Sequence, residues 1–292
     1  MKILPLIVFF SLITHASFSQ KINGRLRFEQ GQTLSITTQL KTSISQQAGG
    51  QVIDFSLDAS GEQTYKVTNA TADNSTLHHQ LQRIVFSFDG MGRKMNFDSN
   101  NEKDMNGMFG KPVKEILEKT YNIVLDTSGK VMMSLPEKIQ LTEADSRMAI
   151  INNLMKDIID RVYPPQKDKA SFFKVLPDSE VSKGDAWTIS SQNENGKMDA
   201  AYAIADINDT TVVVDFAANS VTITKAEMMG SETTTTMNNK SSGKIILDRI
   251  TGLMREKTIN TESTGNTESS FGTLPVTSKT SLIILISPRS GQ

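Results

Sequence analysis

Gln32-Thr33-Leu34-Ser35-Ile36-Thr37-Thr38-Gln39-Leu40 changes side-chain character at every second position, and Leu34, Ile36 and Thr38 fall on one face. A period of two marks a strand that buries one side. Val52-Ile-Asp-Phe-Ser-Leu57 repeats the pattern, with Ile53, Phe55 and Leu57 set against Val52, Asp54 and Ser56. Further out, Tyr65-Lys-Val-Thr68, Ser75-Thr-Leu77, Ile84-Val-Phe-Ser-Phe88 and Lys94-Met-Asn-Phe-Asp98 are strand-like. Asp89-Gly-Met-Gly-Arg93 separates the last two, and its glycines suit a hairpin turn. Tyr121-Asn-Ile-Val-Leu-Asp-Thr-Ser-Gly-Lys-Val-Met-Met133 is a second hairpin, turning from Asp126 to Gly129. Asp opens such a turn through its side-chain oxygen, and Gly closes it in the left-handed region.

The same grammar returns after Pro177. Ala186-Trp-Thr-Ile189, Thr211-Val-Val-Val-Asp-Phe216, Ser220-Val-Thr-Ile-Thr224, Lys244-Ile-Ile-Leu-Asp248, Gly252 to Ile259 and Ser278 to Ser287 are all strand-like. The fold class is therefore mainly β, a β-rich α+β arrangement. Three stretches of the first half match the second in order. Gln30-Gly-Gln-Thr-Leu-Ser-Ile36 matches Lys183-Gly-Asp-Ala-Trp-Thr-Ile189. The stretch from Tyr65 to Leu77 matches that from Tyr202 to Val212. Ile123-Val-Leu-Asp-Thr-Ser-Gly-Lys-Val-Met132 matches Ile245-Ile-Leu-Asp-Arg-Ile-Thr-Gly-Leu-Met254. The reading is an internal duplication. It gives two similar curved antiparallel sheets, or half-barrels, joined by a central amphipathic helix. Convergent hairpin grammar is the alternative.

The helix is expected over residues 143–162. Thr142-Glu-Ala-Asp145 resembles a capping box, and Met148, Ile151, Met155, Ile158 and Val162 step by three and four. Tyr163-Pro-Pro165 ends it. A shorter helix is expected near residues 111–120, with Pro112 at an early position. The expected organisation is a signal peptide at residues 1–19 and an N-terminal β unit at 20–136. A helical connector at 137–170 and a C-terminal β unit at 171–292 follow.

The signal peptide rests on Lys2, the apolar run Ile3 to Ile13, and small residues at Ser17 and Ser19. Cleavage is expected between Ser19 and Gln20. The run is shorter than the roughly 20 residues that span a bilayer. The chain has no cysteine, so no disulfide and no lipid-bearing residue at the cleavage site. The expected address is the periplasm, the extracellular space or the cell surface. The protein is not expected to be a lipoprotein, and no transmembrane segment is expected in the mature chain. A formal net charge of −1 with no basic stripe excludes the electrostatic footprint of a nucleic-acid binder.

Phe28-Glu-Gln-Gly-Gln32, Phe88-Asp-Gly-Met-Gly-Arg93, and Leu176-Pro177 leading to Val181-Ser-Lys-Gly-Asp-Ala-Trp187 carry a resemblance. Across nearly the whole mature chain the sequence resembles an uncharacterised family of exported, mainly β bacterial proteins, chiefly of the Bacteroidetes. The resemblance implies an envelope protein and no established activity.

Reactive side chains are scarce. Of three histidines, His15 lies in the signal, and His78 and His79 are neighbours that a strand points to opposite faces. Asp98-Ser-Asn-Asn-Glu-Lys-Asp104 alternates oxygen ligands, but Lys103 and Phe109 stand where a calcium loop wants Gly and Glu. Asp126-Thr-Ser-Gly129 resembles an aspartic-protease loop at a glance; the extra Ser and the dissimilar Asp248 to Gly252 make both hairpin turns. No catalytic, cofactor-binding or metal residue is assigned, no cofactor is expected, and ligand-binding residues stay unassigned. Trp187 either anchors the second sheet's core or lines a ligand groove. Met91, Met105, Met108, Met228 and Met229 lie in or near loops, where thioethers suit adaptable apolar surfaces. The expected function is a non-enzymatic binding or carrier protein for an apolar small molecule, a lipid or a lipidated envelope protein. A structural or protein-interaction module of the cell envelope is the alternative.

Overall fold

The computed structural model describes residues 21–135, 159 and 161–289, apart from 49, 91, 229, 230 and 271. The expected signal peptide lies outside them, as does most of the helix expected over residues 143–162. At that helix's end, Ile159, Arg161 and Val162 are helical, and the Tyr163 N–H donates to the Ile159 carbonyl at 3.0 Å.

The first half of the chain forms β1 (Thr33–Ala48), β2 (Gln51–Ala70), β3 (Asn74–Gly90) and β4 (Arg93–Asp98). Two short helices follow, α1 (Glu102–Met105) and α2 (Gly110–Leu117), then β5 (Thr120–Asp126) and β6 (Val131–Leu135). The second half forms β7 (Ala186–Asn193), β8 (Gly196–Ile207), β9 (Thr211–Met228), β10 (Ser231–Asp248), β11 (Met254–Ser269) and β12 (Gly272–Arg289). The chain is mainly β, as its alternating stretches require.

The strands make one antiparallel sheet in the order β6-β5-β3-β2-β1-β12-β11-β10-β9-β8-β7, with β4 on β3. The expectation of two separate sheets is therefore corrected. The first and last strands pair from Thr33 opposite Arg289 to Gln46 opposite Val276, and this seam fuses the halves. The reason is apolar matching. Ile36 faces Ile286 and Leu40 faces Leu282, so pairing buries both faces and removes two free edges. The three matched sequence stretches open β1 and β7, run from β2 into β3 and from β8 into β9, and turn β5–β6 and β10–β11.

The order is that of an up-and-down meander, joined at β1–β12 and open between β6 and β7. Residues 21–32 show how far it coils. The Leu26 N–H donates to the Thr127 carbonyl in the β5–β6 turn, and the Arg27 N–H donates to the Thr251 carbonyl in the β10–β11 turn, both at 2.8 Å. Neighbouring backbone nitrogens lie less than ~4 Å apart, so the two carbonyl oxygens lie within about 10 Å. In a flat sheet, the five strand spacings from β5 to β11 would separate those turns by about 24 Å. The sheet must curl strongly for one strap to hold both. Gly129 and Gly252 make room, each with φ in the left-handed region, +83° and +69°. A Cβ on Gly129 would lie 2.8 Å from Leu26 Cδ1, and one on Gly252 would lie 2.8 Å from the Arg25 carbonyl oxygen. The strap continues through mutual backbone bonds between Ile22 and Val181.

Under the strap the core is filled. Phe28 meets Phe173 edge-on at 5.4 Å, Phe173 meets Tyr65 at 5.5 Å, and Tyr65 packs on His79 at 4.6 Å. Val162 seats in the notch at Gly61, where a Cβ would lie 2.5 Å from Val162 Cγ1.

Candidate functional site

Strand register orders the inner face into rows that run across most of the sheet. One row carries Phe97, Phe86, Ala59, Leu40, Leu282, Ile259, Gly243, Phe216, Tyr202 and Trp187 from β4 to β7. Every member is apolar, aromatic or glycine. At its β7 end, Trp187 stacks on Tyr202 at 5.3 Å with the rings 5° from parallel, and Tyr202 packs on Phe216 at 5.2 Å. Trp187, read from sequence as a core anchor or a groove residue, thus ends an aromatic shelf. Its ring N–H is buried without an acceptor among the described residues.

The row nearer the strap carries Ile84, Gly61, Thr38, Ile284, Lys257, Ile245, Val214 and Ile204. Lys257 is its one charged member. The Lys257 ammonium lies 5.8 Å from the centre of the Phe216 ring, reaching across β10 where Gly243 presents no side chain. Burial, and then the Arg161 charge, hold this lysine below its ordinary range. No carboxylate pairs with it among the described residues. Period-two reading could have found it: Lys257 shares its face with Ile259, so a charge stood on the apolar side of a strand. The sequence reading passed over it because a lysine two residues from an apolar partner is ordinary on surface strands.

Beyond the apolar row, hydroxyls take over on β12 to β9. Thr42, Thr280, Thr261 and Ser241 follow one another across β1, β12, β11 and β10. Thr42 bonds Thr280 at 3.1 Å, and Ser241 bonds Thr261 at 2.8 Å. Further along, Thr235 bonds Thr267 at 2.9 Å, and Asn239 donates to Ser220 at 3.1 Å. Cross-strand hydroxyl pairs of this kind stabilise a sheet while leaving a face that can also bind polar groups. On β8 and β9 this end opens to solvent, with Met198, Thr222 and Thr224 exposed. The inner face thus grades from apolar to hydroxyl-lined along the strands.

The remaining sequence candidates have structural occupations. His79 is buried on the inner face and bonds Gln63 Oε1 through Nε2 at 2.8 Å; His78 bonds Asn122 on the other face at 2.9 Å. Burial, with a smaller push from His78, lowers His79 to about 3, so the ring is neutral. The Val162 backbone nearby favours a proton on it, but Nδ1 has no well-directed bond. Asp98 takes two bonds from Arg83, at 3.0 and 2.6 Å, and these hold its carboxyl below the usual range. Asp104 accepts from the Asp98 N–H at 2.8 Å, and Asn101 caps α1. The alternating acids therefore build a turn. Burial alone would raise Asp126 and Asp248. Bonds from Ser128 and Lys130, and from Arg255 and Thr251, outweigh it and hold both carboxyls low. Each aspartate is thus consumed by its own turn. Among the methionines, Met105 packs against the core and Met108 is exposed. Met91 and Met229 lie outside the described residues.

The outer face carries a groove of about 520 Å³ at the seam, lined among others by Lys41, Asp58, Asp89, Lys94, Glu262 and Lys279. Its charges cancel in cross-strand pairs, Lys41 with Asp58 at 3.1 Å and Lys279 with Glu262 at 3.6 Å. Of the sheet's two edges, β6 is partly covered, since Val131 exchanges backbone bonds with Lys169 and Asp168. The β7 edge is the barer one, with seven of its eight residues exposed and no charged residue among them.

No curated protein matches the sequence. Among solved structures, a lipovitellin described for its lipid–protein interactions overlays 91% of this chain at 9% identity with a TM-score of 0.45. The chain spans 26% of that protein's length. An outer membrane channel from Pseudomonas putida F1 overlays 90% of this chain and 98% of its own, at 8% identity and a TM-score of 0.25. OccK5 from Pseudomonas aeruginosa overlays 90% and 99%, at 7% identity and a TM-score of 0.27. At these scores the likenesses bear on neither the fold nor the site. The pattern of a family of unknown function, DUF6263, matches residues 72–254, more than half of the chain, and the chain belongs to that family.

Proposed function

We propose that this chain is an exported, non-enzymatic binding or carrier protein of the cell envelope, which takes an apolar or amphipathic ligand on the inner face of its sheet. The observation that carries the reading is the grading of that face. A ten-strand apolar row with an aromatic shelf adjoins rows of Thr and Ser that reach solvent on β8 and β9. A graded concave face suits a molecule with an apolar body and a polar part. Export rests on the pattern of residues 1–19, and a lipidated envelope protein is a candidate partner. A duplicated origin of the two meanders belongs to the same reading, supported by the matched stretches on strands of equivalent order. The test is uptake of a fluorescent fatty acid by delipidated protein, read by Trp187 quenching. Saturable uptake with one site supports the reading; no uptake of fatty acid or lipopeptide refutes it.

A second reading, an interaction module of the envelope, is favoured by the filled core under the strap and the bare β7 edge with exposed Ile189. An unguarded edge pairs readily with another strand. Crosslinking in intact cells that recovers this chain only as a monomer contradicts it.

A further inference from the structure

Three large apolar side chains of β6 stand in solvent between Met132 and Leu135. Met132 is 50% exposed, Met133 45% and Leu135 53%. Strict alternation along a strand would turn one of the two methionines inward. A register shift prevents it: Val131 faces Leu125, Met133 faces Val124, and Met132 is the extra residue of a bulge. Bulges re-aim side chains in this way. Val131 stays buried, while Met132 and Met133 both reach solvent. Leu135 lies opposite Asn122, on the same outer side as Met133, and the half-buried Val124 joins the patch.

Beside the patch lies a basic turn. The Val131 N–H donates to the Lys169 carbonyl and the Asp168 N–H donates to the Val131 carbonyl, both at 2.8 Å. The Lys169 N–H closes the turn on the Gln166 carbonyl at 3.2 Å. Asp168 holds φ at +65°, the one residue other than glycine in the left-handed region among the described residues. Asp tolerates that conformation better than most side chains. The turn is thus pinned to β6 and brings Lys167 and Lys169, both exposed, to the rim of the patch. Lys130 adds a third cation. Asp168, 3.2 Å from it, is the one acid in residues 130–135 and 166–170. Contiguous exposed apolar side chains mark a contact surface. Apolar tips rimmed by lysines match a bilayer, where the tips enter the acyl boundary and the ammonium groups stay at anionic headgroups.

We propose that the β6 bulge and the turn at residues 166–169 form a docking surface for an anionic lipid bilayer. Met132, Met133 and Leu135 enter the interface, and Lys130, Lys167 and Lys169 lie against the headgroups. The flexible thioethers suit an irregular acyl surface. The patch is on the outer side of the sheet, so it operates whatever the inner face binds.

The test is co-sedimentation of the mature chain, residues 20–292, with vesicles of phosphatidylcholine alone and of phosphatidylcholine mixed with phosphatidylglycerol. Wild type is compared with Met132→Ser plus Met133→Ser, with Lys167→Gln plus Lys169→Gln, and with Ile250→Ser. Ile250, 71% exposed in the β10–β11 turn, is the control for a lone apolar side chain elsewhere. Every substituted position is exposed, so far-ultraviolet circular dichroism should stay that of wild type. Wild type should partition onto the mixed vesicles, less onto phosphatidylcholine, and less again at high salt. The lysine variant should lose about fivefold per lysine on the mixed vesicles. The methionine variant should lose about tenfold or more on both. Ile250→Ser should match wild type. Equal partition of wild type onto the two vesicles, or a methionine variant that partitions like wild type, overturns the proposal. So does a wild type that stays in solution with both, which leaves the patch to a protein partner.

Discussion

The strap that crosses the coiled sheet is most sharply tested by a double-mutant cycle at Leu26 and Gly129. Leu26 is 6% exposed and fills the space between the β5–β6 and β10–β11 turns. Its truncation to Ala should cost about 3 kcal/mol, within the range for buried leucines. Gly129→Ala adds a methyl at φ +83°, which costs about 1–2 kcal/mol in the left-handed region. That methyl would also lie 2.8 Å from Leu26 Cδ1 and 2.9 Å from Lys174 Cβ, and such overpacking costs about 1–3 kcal/mol. With Leu26 already cut to Ala, the first of those clashes disappears while the backbone cost remains. The double variant should therefore be more stable than the sum of the singles implies, by about 1 kcal/mol or more. Urea unfolding followed by circular dichroism and Trp187 fluorescence measures all four corners. Costs that add to within about 0.5 kcal/mol refute the contact, and with it the strap as the device that holds the coil.

Four further outcomes are expected. Since His79 is held near pKa 3 when folded and 6.5 is the ordinary value, the unfolded chain binds the extra proton between those limits. Its contribution is present above about pH 6.5 and is lost as pH falls toward 3, at roughly 1.4 kcal/mol per unit; His79→Gln should unfold with a flatter pH dependence in that window, and an unchanged slope refutes the burial. Tyr65→Phe deletes a buried hydroxyl that has no partner among the described residues, so denaturation should show a stability change of less than about 0.5 kcal/mol or a gain; a loss above about 1 kcal/mol would reveal a bond at that hydroxyl. Ser43→Cys with Lys279→Cys places the only two thiols opposite each other across the β1–β12 seam, and air oxidation should give an intramolecular disulfide visible on non-reducing gels. Ile189→Lys puts a charge on the bare β7 edge and should lower light scattering on heating without moving the unfolding midpoint by more than a degree or so.

The strand class was legible because Leu34, Ile36, Phe55 and Leu57 obey a period of two that any half-buried strand must obey. Partner choice was not. Leu282 to Ile286 read as a strand, but nothing local says that it pairs with the first strand rather than closing a sheet of its own; that choice depends on burying two apolar faces far apart in sequence. His78 and His79 could be assigned to opposite faces from adjacency alone, and the Asp126 and Asp248 turns from their Asp-to-Gly spacing. Ile22, Leu26 and Phe28 alternate at period two and are buried, but nothing local says that the strap's backbone bonds run to Thr127 and Thr251. Lys257 was visible in principle as a charge in phase with Ile259. Its meaning needed the register that sets it among Ile284, Ile245 and Phe216.

The central claim is that the inner face is a binding surface, and photocrosslinking locates a ligand on it directly. A fatty acid carrying a diazirine near its tail, bound to the delipidated protein, irradiated and mapped by mass spectrometry, should label the accessible inner-face positions Trp187, Met198 and Tyr202, and excess dodecanoate should suppress the labelling. Labelling confined to outer-face positions such as Ile283 and Leu285, or labelling that excess dodecanoate leaves unchanged, would contradict it.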